Sequence, residues 1–126
     1  MSERKRILIV DDEPHILRSL GFVLRKAGYE VLEARSGQEA LEVLEAQPPD
    51  LVFLDIMMPE VDGYEVCRQI KASQNTSPAY VIMLTAKGQE SDRRRGMESG
   101  ADEYMTKPFS PTRAVARVEA VLARNS

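Results

Sequence analysis

Four short clusters in this sequence carry side chains that could do chemistry together: Asp11-Asp12-Glu13, Asp55, Thr85-Ala86 and Lys107-Pro108. Three aspartates gathered in one pocket repel one another, and the repulsion is costly unless something compensates it. A hard divalent cation is the natural compensation. Mg2+ takes oxygen ligands, keeps several waters and commonly bridges carboxylates to a phosphoryl group. Lys107 adds a point positive charge and Thr85 a hydroxyl that can donate to a phosphoryl oxygen. Phosphoryl transfer needs little beyond an in-line nucleophile, a metal and charge-neutralising donors. Taken singly, an aspartate after a strand is ordinarily a cap or turn residue, and a Lys-Pro pair is loop punctuation. Four separate strand ends that together deliver an acid pair, an acid, a hydroxyl and a lysine carry more.

The elements that must position these residues can be read from the pattern. Three apolar runs, Ile7-Leu8-Ile9-Val10, Leu51-Val52-Phe53-Leu54 and Tyr80-Val81-Ile82-Met83-Leu84, are strand-length and end in polar residues. Unbroken apolar runs of this kind indicate strands covered on both faces. Two more polar runs, Glu30-Val31-Leu32-Glu33-Ala34 and Asp102-Glu103-Tyr104-Met105-Thr106, suit the edges of a sheet.

Helical patterns lie between them. Ile16, Leu17, Leu20, Val23, Leu24 and Ala27 share one face, with Pro14 in the first turn and Gly28 at the stop. Ser36-Gly37-Gln38-Glu39 opens a second helix as a capping box, in which the Ser hydroxyl and the Glu carboxylate each satisfy an orphan amide. Pro48-Pro49 stops it. A third starts near Asp62-Gly63, and the last starts at Ser110-Pro111. The remaining one, over 89–99, has a single strong apolar residue, Met97, beside Arg93-Arg94-Arg95, which reads as a solvated face. With so little to bury, it should be the least firmly held element.

Five βα alternations imply a parallel sheet with right-handed crossovers: a single doubly wound (βα)5 α/β domain of flavodoxin-like order 2-1-3-4-5. One domain spans 1–126, with its core at about 5–124. In such sheets the working residues lie at the carboxyl ends of the strands. The strand without a reactive end, followed by Arg35-Ser36, falls on the outside, so the chemistry converges on one pocket.

A net charge of −3, from 17 basic and 20 acidic residues, gives no general attraction to nucleic acid or anionic lipid. No stretch reaches the length of a membrane span, and the N-terminus leads into a strand rather than a signal segment. One cysteine, Cys67, excludes an intramolecular disulfide and reads as a small buried hydrophobe. A cytoplasmic protein is expected. The lone His15 reads as solvent-facing.

At this point the chain resembles, from end to end, a response-regulator receiver domain of two-component signalling. The resemblance rests on Ile7-Leu8-Ile9-Val10-Asp11-Asp12-Glu13, Asp55-Ile56-Met57-Met58-Pro59 with Asp62-Gly63, Leu84-Thr85-Ala86, Gly100-Ala101-Asp102-Glu103-Tyr104 and Lys107-Pro108-Phe109. It implies that Asp55 accepts a phosphoryl group from a phosphohistidine on a sensor histidine kinase or phosphotransfer protein. It further implies that Asp12 and Asp55 bind Mg2+ directly, with Asp11 acting through water and the Met57 carbonyl as another ligand. Thr85 and Lys107 would contact the phosphoryl group, and the Lys107-Pro108 bond would be cis.

The same resemblance implies a switch. Thr85 moves toward the phosphoryl oxygens, and Tyr104 rotates inward. The face formed by residues 89–99, strand 5 and the final helix then changes and controls a downstream output protein or domain. Met57 and Lys87 would flank the path of attacking water and lengthen the life of the acyl phosphate. A homodimer through this face is a further expectation. One departure weakens it: Arg113 stands where the winged-helix branch commonly has a glutamate, although Arg93, Glu98, Asp102 and Arg117 remain available.

Other classes fit less well. A haloacid-dehalogenase-type phosphatase wants a second aspartate two residues after the nucleophile, and Asp55 is followed by Ile56-Met57. Neither a dinucleotide fingerprint nor a P-loop is present. A receiver fold used only for binding, without phosphorylation, would not need the complete set of acids. The expectation is a signalling switch rather than a turnover enzyme. The sequence stops just after the final helix, as either a single-domain regulator or a receiver cut from a longer protein would.

Overall fold

In a computed structural model of the chain, residues 4–56, 62–86, 94 and 97–124 are described. Five strands form one parallel sheet: β1 (Arg6–Val10), β2 (Glu30–Ala34), β3 (Leu51–Asp55), β4 (Tyr80–Ala86) and β5 (Glu103–Lys107). Their order is β2-β1-β3-β4-β5, as the strand polarity implied. Ile7 to Val10 and Leu51 to Leu54 are fully buried, because helices cover both faces of the central strands.

Alternation along the strands splits the interior in two. Leu8, Val10, Val52, Leu54, Val81 and Met83 pack against α2 (Gly37–Ala46) and α3 (Gly63–Ala72). Ile7, Ile9, Leu51, Phe53, Ile82 and Leu84 pack on the other side, against α1 (Pro14–Lys26) and the C-terminal helix (Pro111–Arg124). Cys67 is buried on the α2–α3 side, where burial raises its thiol pKa.

Local chemistry sets the helix ends. Pro14 occupies the first turn of α1, Arg25 and Lys26 complement the dipole in its last, and Gly28 takes the left-handed φ of +103° that closes it. Ser36 Oγ accepts from Glu39 N at 3.1 Å, as the capping box requires. The Glu39 carboxylate, however, accepts from Arg35 N at 3.0 Å, the amide one residue ahead of the cap. Asp62 Oδ1 accepts from Tyr64 N at 2.7 Å, and Ser110 Oγ from Arg113 N at 3.3 Å.

Four strands differ in extent from the sequence expectation: β1 begins one residue earlier, at Arg6, β3 takes in Asp55, and β4 and β5 shift toward their carboxyl ends. β4 continues past its apolar run because Thr85 and Ala86 find register partners in Thr106 and Lys107. β5 starts one residue later than expected, since Asp102 makes a corner. Its Oδ2 accepts from Val81 N and Lys71 Nζ, both at 2.8 Å. Of the segment expected to be helical over 89–99, Arg94 and residues 97–99 are described and helical, with Met97 56% exposed. The firmness with which the rest is held lies outside the described residues.

Candidate functional site

Side-chain alternation delivers three of the expected residues to one face. Ile7 and Ile9 of β1 point toward α1 and the C-terminal helix, so Asp11, next in that alternation, follows them. Leu51 and Phe53 put Asp55 on the same side, and Met105 does so for Lys107. Asp12 is exposed at the mouth, whereas Asp11 is fully buried and Asp55 4% exposed. Carboxylate oxygens of Asp11, Asp12 and Asp55 lie within 4.8 Å of one another.

Lys107 is the counter-charge. Its Nζ lies 2.8 Å from Asp11 Oδ2, 3.0 Å from Glu13 Oε1 and 3.4 Å from Asp55 Oδ2. Burial alone would lower the lysine pKa; the contacts to Asp11, Glu13 and Asp55 outweigh it and raise the pKa above the ordinary lysine range. The hydrogen bond from Lys107 in turn holds the Glu13 carboxyl below its usual value. Asp11 Oδ1 accepts from Glu13 N at 2.9 Å. Asp11 Oδ2 faces the Lys107 ammonium at 2.8 Å and has no further partner among the described residues, which leaves acceptor capacity on it. A buried carboxylate oxygen with open acceptor capacity, beside two further carboxylates, suits a hard, oxygen-seeking cation.

Thr85, 7% exposed, lies one residue beyond Leu84, the register partner of Asp55. The Lys107-Pro108 bond is cis. Tyr104 is half-buried against the α2–α3 core. Met57, Lys87 and Arg93 lie outside the described residues. In sequence Glu13 is simply the third of an acidic run, yet in the fold it is a direct partner of Lys107.

Two charges expected to be available at the far face are engaged within the chain. Arg117 binds Glu103 through two hydrogen bonds, of 2.8 and 2.6 Å, and Glu103 also accepts from Tyr80 Oη at 2.8 Å. Asp102 pairs with Lys71. His15 is exposed, as expected, with Nε2 3.3 Å from Glu13 Oε2.

The family model for the response regulator receiver domain matches residues 7–119. The chain belongs to the response regulator receiver family. Over 121 residues this receiver is 49% identical to the alkaline phosphatase synthesis transcriptional regulatory protein PhoP of Bacillus subtilis, covering 96% of this chain and 50% of that protein. It is likewise 49% identical over 120 residues to the phosphate regulon transcriptional regulatory protein PhoB of Pseudomonas aeruginosa, covering 95% and 52%. Among solved structures, a CheY-like response regulator receiver domain protein from Methanospirillum hungatei superposes with a TM-score of 0.90 at 30% identity, covering 97% of this chain and 96% of that one. DrrB of Thermotoga maritima, an OmpR/PhoB homolog, gives 0.87 at 35%, covering 98% and 55%. The receiver spans about half the length of the curated relatives it matches. Response regulators are signalling proteins, and this receiver has the fold of a phosphoryl-accepting switch. No helix among its described residues is long and apolar enough to cross a membrane.

Proposed function

We propose that this receiver, a single domain over 1–126, takes a phosphoryl group onto Asp55 from the phosphohistidine of a sensor histidine kinase or phosphotransfer protein. An Asp55 carboxylate oxygen attacks phosphorus; the P–N bond breaks, its electron pair stays on the imidazole nitrogen, and a P–O bond forms. Asp12, Asp55 and the Met57 carbonyl would hold Mg2+ directly, with Asp11 acting through water. Bound there, the ion would supply the positive charge that offsets the acidic pocket and the incoming phosphoryl oxygens. Lys107 turns toward the transferred group, and Thr85 donates its hydroxyl to it. Met57 and Lys87 flank the approach of water and slow loss of the group. The domain promotes its own modification and is not a turnover enzyme on a separate substrate. It works in the cytoplasm without direct contact to nucleic acid or membrane.

Phosphorylation adds nearly two negative charges and three acceptor oxygens. Movement of Thr85 toward them draws on the chain that follows β4, and Tyr104 turns inward. The surface formed by residues 89–99, β5 and the C-terminal helix is then read by a downstream protein or domain, or by a second copy of the receiver. The observation that carries this reading is the cluster of Asp11, Asp12 and Asp55 beside Lys107.

The test is intact mass after exposure to a small phosphoryl donor such as phosphoramidate. One phosphoryl group should appear with Mg2+ present and be lost on adding a chelator beforehand. Equal labelling under both conditions contradicts the metal-assisted reading. Amide exchange around Tyr104 that is unchanged by beryllofluoride with Mg2+ contradicts the switch.

A further inference from the structure

Glu13 stands beside Lys107 in this pocket but outside the three-aspartate cluster. It is the N-cap residue of α1, yet its side chain makes no capping hydrogen bond. Instead Oε1 accepts from Lys107 Nζ at 3.0 Å. Lys107 is only 18% exposed, and its other two carboxylate neighbours, Asp11 and Asp55, belong to the cluster suited to a divalent cation.

We propose that Glu13 is a positioning residue that keeps the Lys107 ammonium paired when Asp11 and Asp55 turn to the cation, and that it thereby sets the affinity of the pocket for Mg2+. The inference rests on the metal-assisted reading of the site. Its basis is the penalty for stranding a charge. Without the ion, Asp11, Glu13 and Asp55 share one ammonium. Once Asp11 and Asp55 serve a cation they serve Lys107 less, and a largely buried ammonium left without a partner is costly. Glu13 lies outside the three-aspartate cluster and already holds Lys107, so it retains the lysine with little rearrangement. The neighbouring His15 offers no negative charge that could replace it.

A simpler account also gives Glu13 an effect on metal binding: one more negative charge near the pocket favours any cation, whatever Lys107 does. A double-mutant cycle separates the two. Mg2+ affinity is measured by calorimetry on the full chain as wild type, Glu13→Gln, Lys107→Ala and the double variant. Glu13→Gln is expected to weaken binding roughly fivefold with Lys107 present and less than about twofold in the Lys107→Ala background, a coupling of ordinary size for groups in contact.

Glu13→Asp keeps the charge but withdraws the carboxylate, and it too should weaken binding only where Lys107 is present. It also replaces Glu13→Gln should that variant fail to fold by circular dichroism in chelator. Equal factors in both backgrounds, or affinity unchanged by either substitution, overturn the positioning role while leaving the metal reading intact. Wild-type protein that binds no Mg2+ overturns both.

Discussion

Arg117 grips Glu103 with two of its nitrogens, Nε to Oε2 at 2.8 Å and NH2 to Oε1 at 2.6 Å, and so ties the C-terminal helix to β5. Tyr80 joins from β4, its hydroxyl donating to the same carboxylate. Burial and this hydrogen bond to Glu103 both raise the Tyr80 pKa. The output surface proposed for this receiver therefore has an internal clamp. A partner that recruits Arg117 must first draw it from Glu103.

The clamp has a pH signature. The hydrogen bond from Arg117 holds the Glu103 carboxyl below its ordinary value of 4.5. A lowered folded-state pKa means that the stabilisation is fully present above the unfolded value and is lost as pH falls through the folded one. The melting temperature of Arg117→Met should lie below that of wild type at neutral pH, and the gap should close as pH falls below 4.5 and through the lowered folded-state value of Glu103. Arg117 is partly solvent-screened, so the neutral-pH difference should be about 0.5–1 kcal/mol. A gap that persists unchanged at low pH would show that packing, and not the ion pair, is responsible.

Gly63 reports on how closely α3 approaches the acceptor strand. A Cβ there would lie 2.7 Å from Ile56 Cα and 2.8 Å from the Asp55 carbonyl oxygen, both backbone atoms that cannot swing aside. Gly63→Ala should cost about 1–3 kcal/mol by overpacking, measured by urea denaturation. It should also slow labelling of Asp55 by moving the backbone on which it sits. A variant with wild-type stability and labelling would mean that α3 is free to shift.

Three carboxylates around one lysine leave the pocket with excess negative charge. Asp55→Asn removes one of them, so in chelator it should raise the melting temperature, by roughly 4 °C for about 1 kcal/mol of relieved repulsion. The wild type should gain about 1.4 kcal/mol in Mg2+ at ten times its dissociation constant, and Asp55→Asn much less. Equal stabilisation of the two proteins by Mg2+ would place the ion elsewhere.

Much of this was legible in the residues. The order of the strands followed from polarity, because β1, β3 and β4 are covered on both faces while β2 and β5 bear Glu33 and Glu103 at the edges. Asp11, Asp55 and Lys107 converge because each ends a strand whose alternation points the same way. Less visible were contacts made by tertiary packing alone. Glu13 reads only as the last of the acidic run after β1, and its lysine is 94 residues away in sequence. Asp102 reads as an edge-strand charge, but it serves as a corner that binds Val81 N and Lys71. Arg117 reads as a charge available to a second copy until β5 brings Glu103 beneath it.

The central claim is that phosphorus arrives on the side chain of residue 55. Borohydride reduces an aspartyl phosphate to homoserine and leaves free carboxylates untouched, so labelled protein can be reduced, digested and sequenced by mass spectrometry. Homoserine at position 55, and its absence when donor or Mg2+ is omitted, is the expected result. Homoserine at position 11 or 12, or phosphate retained on His15, would contradict the account.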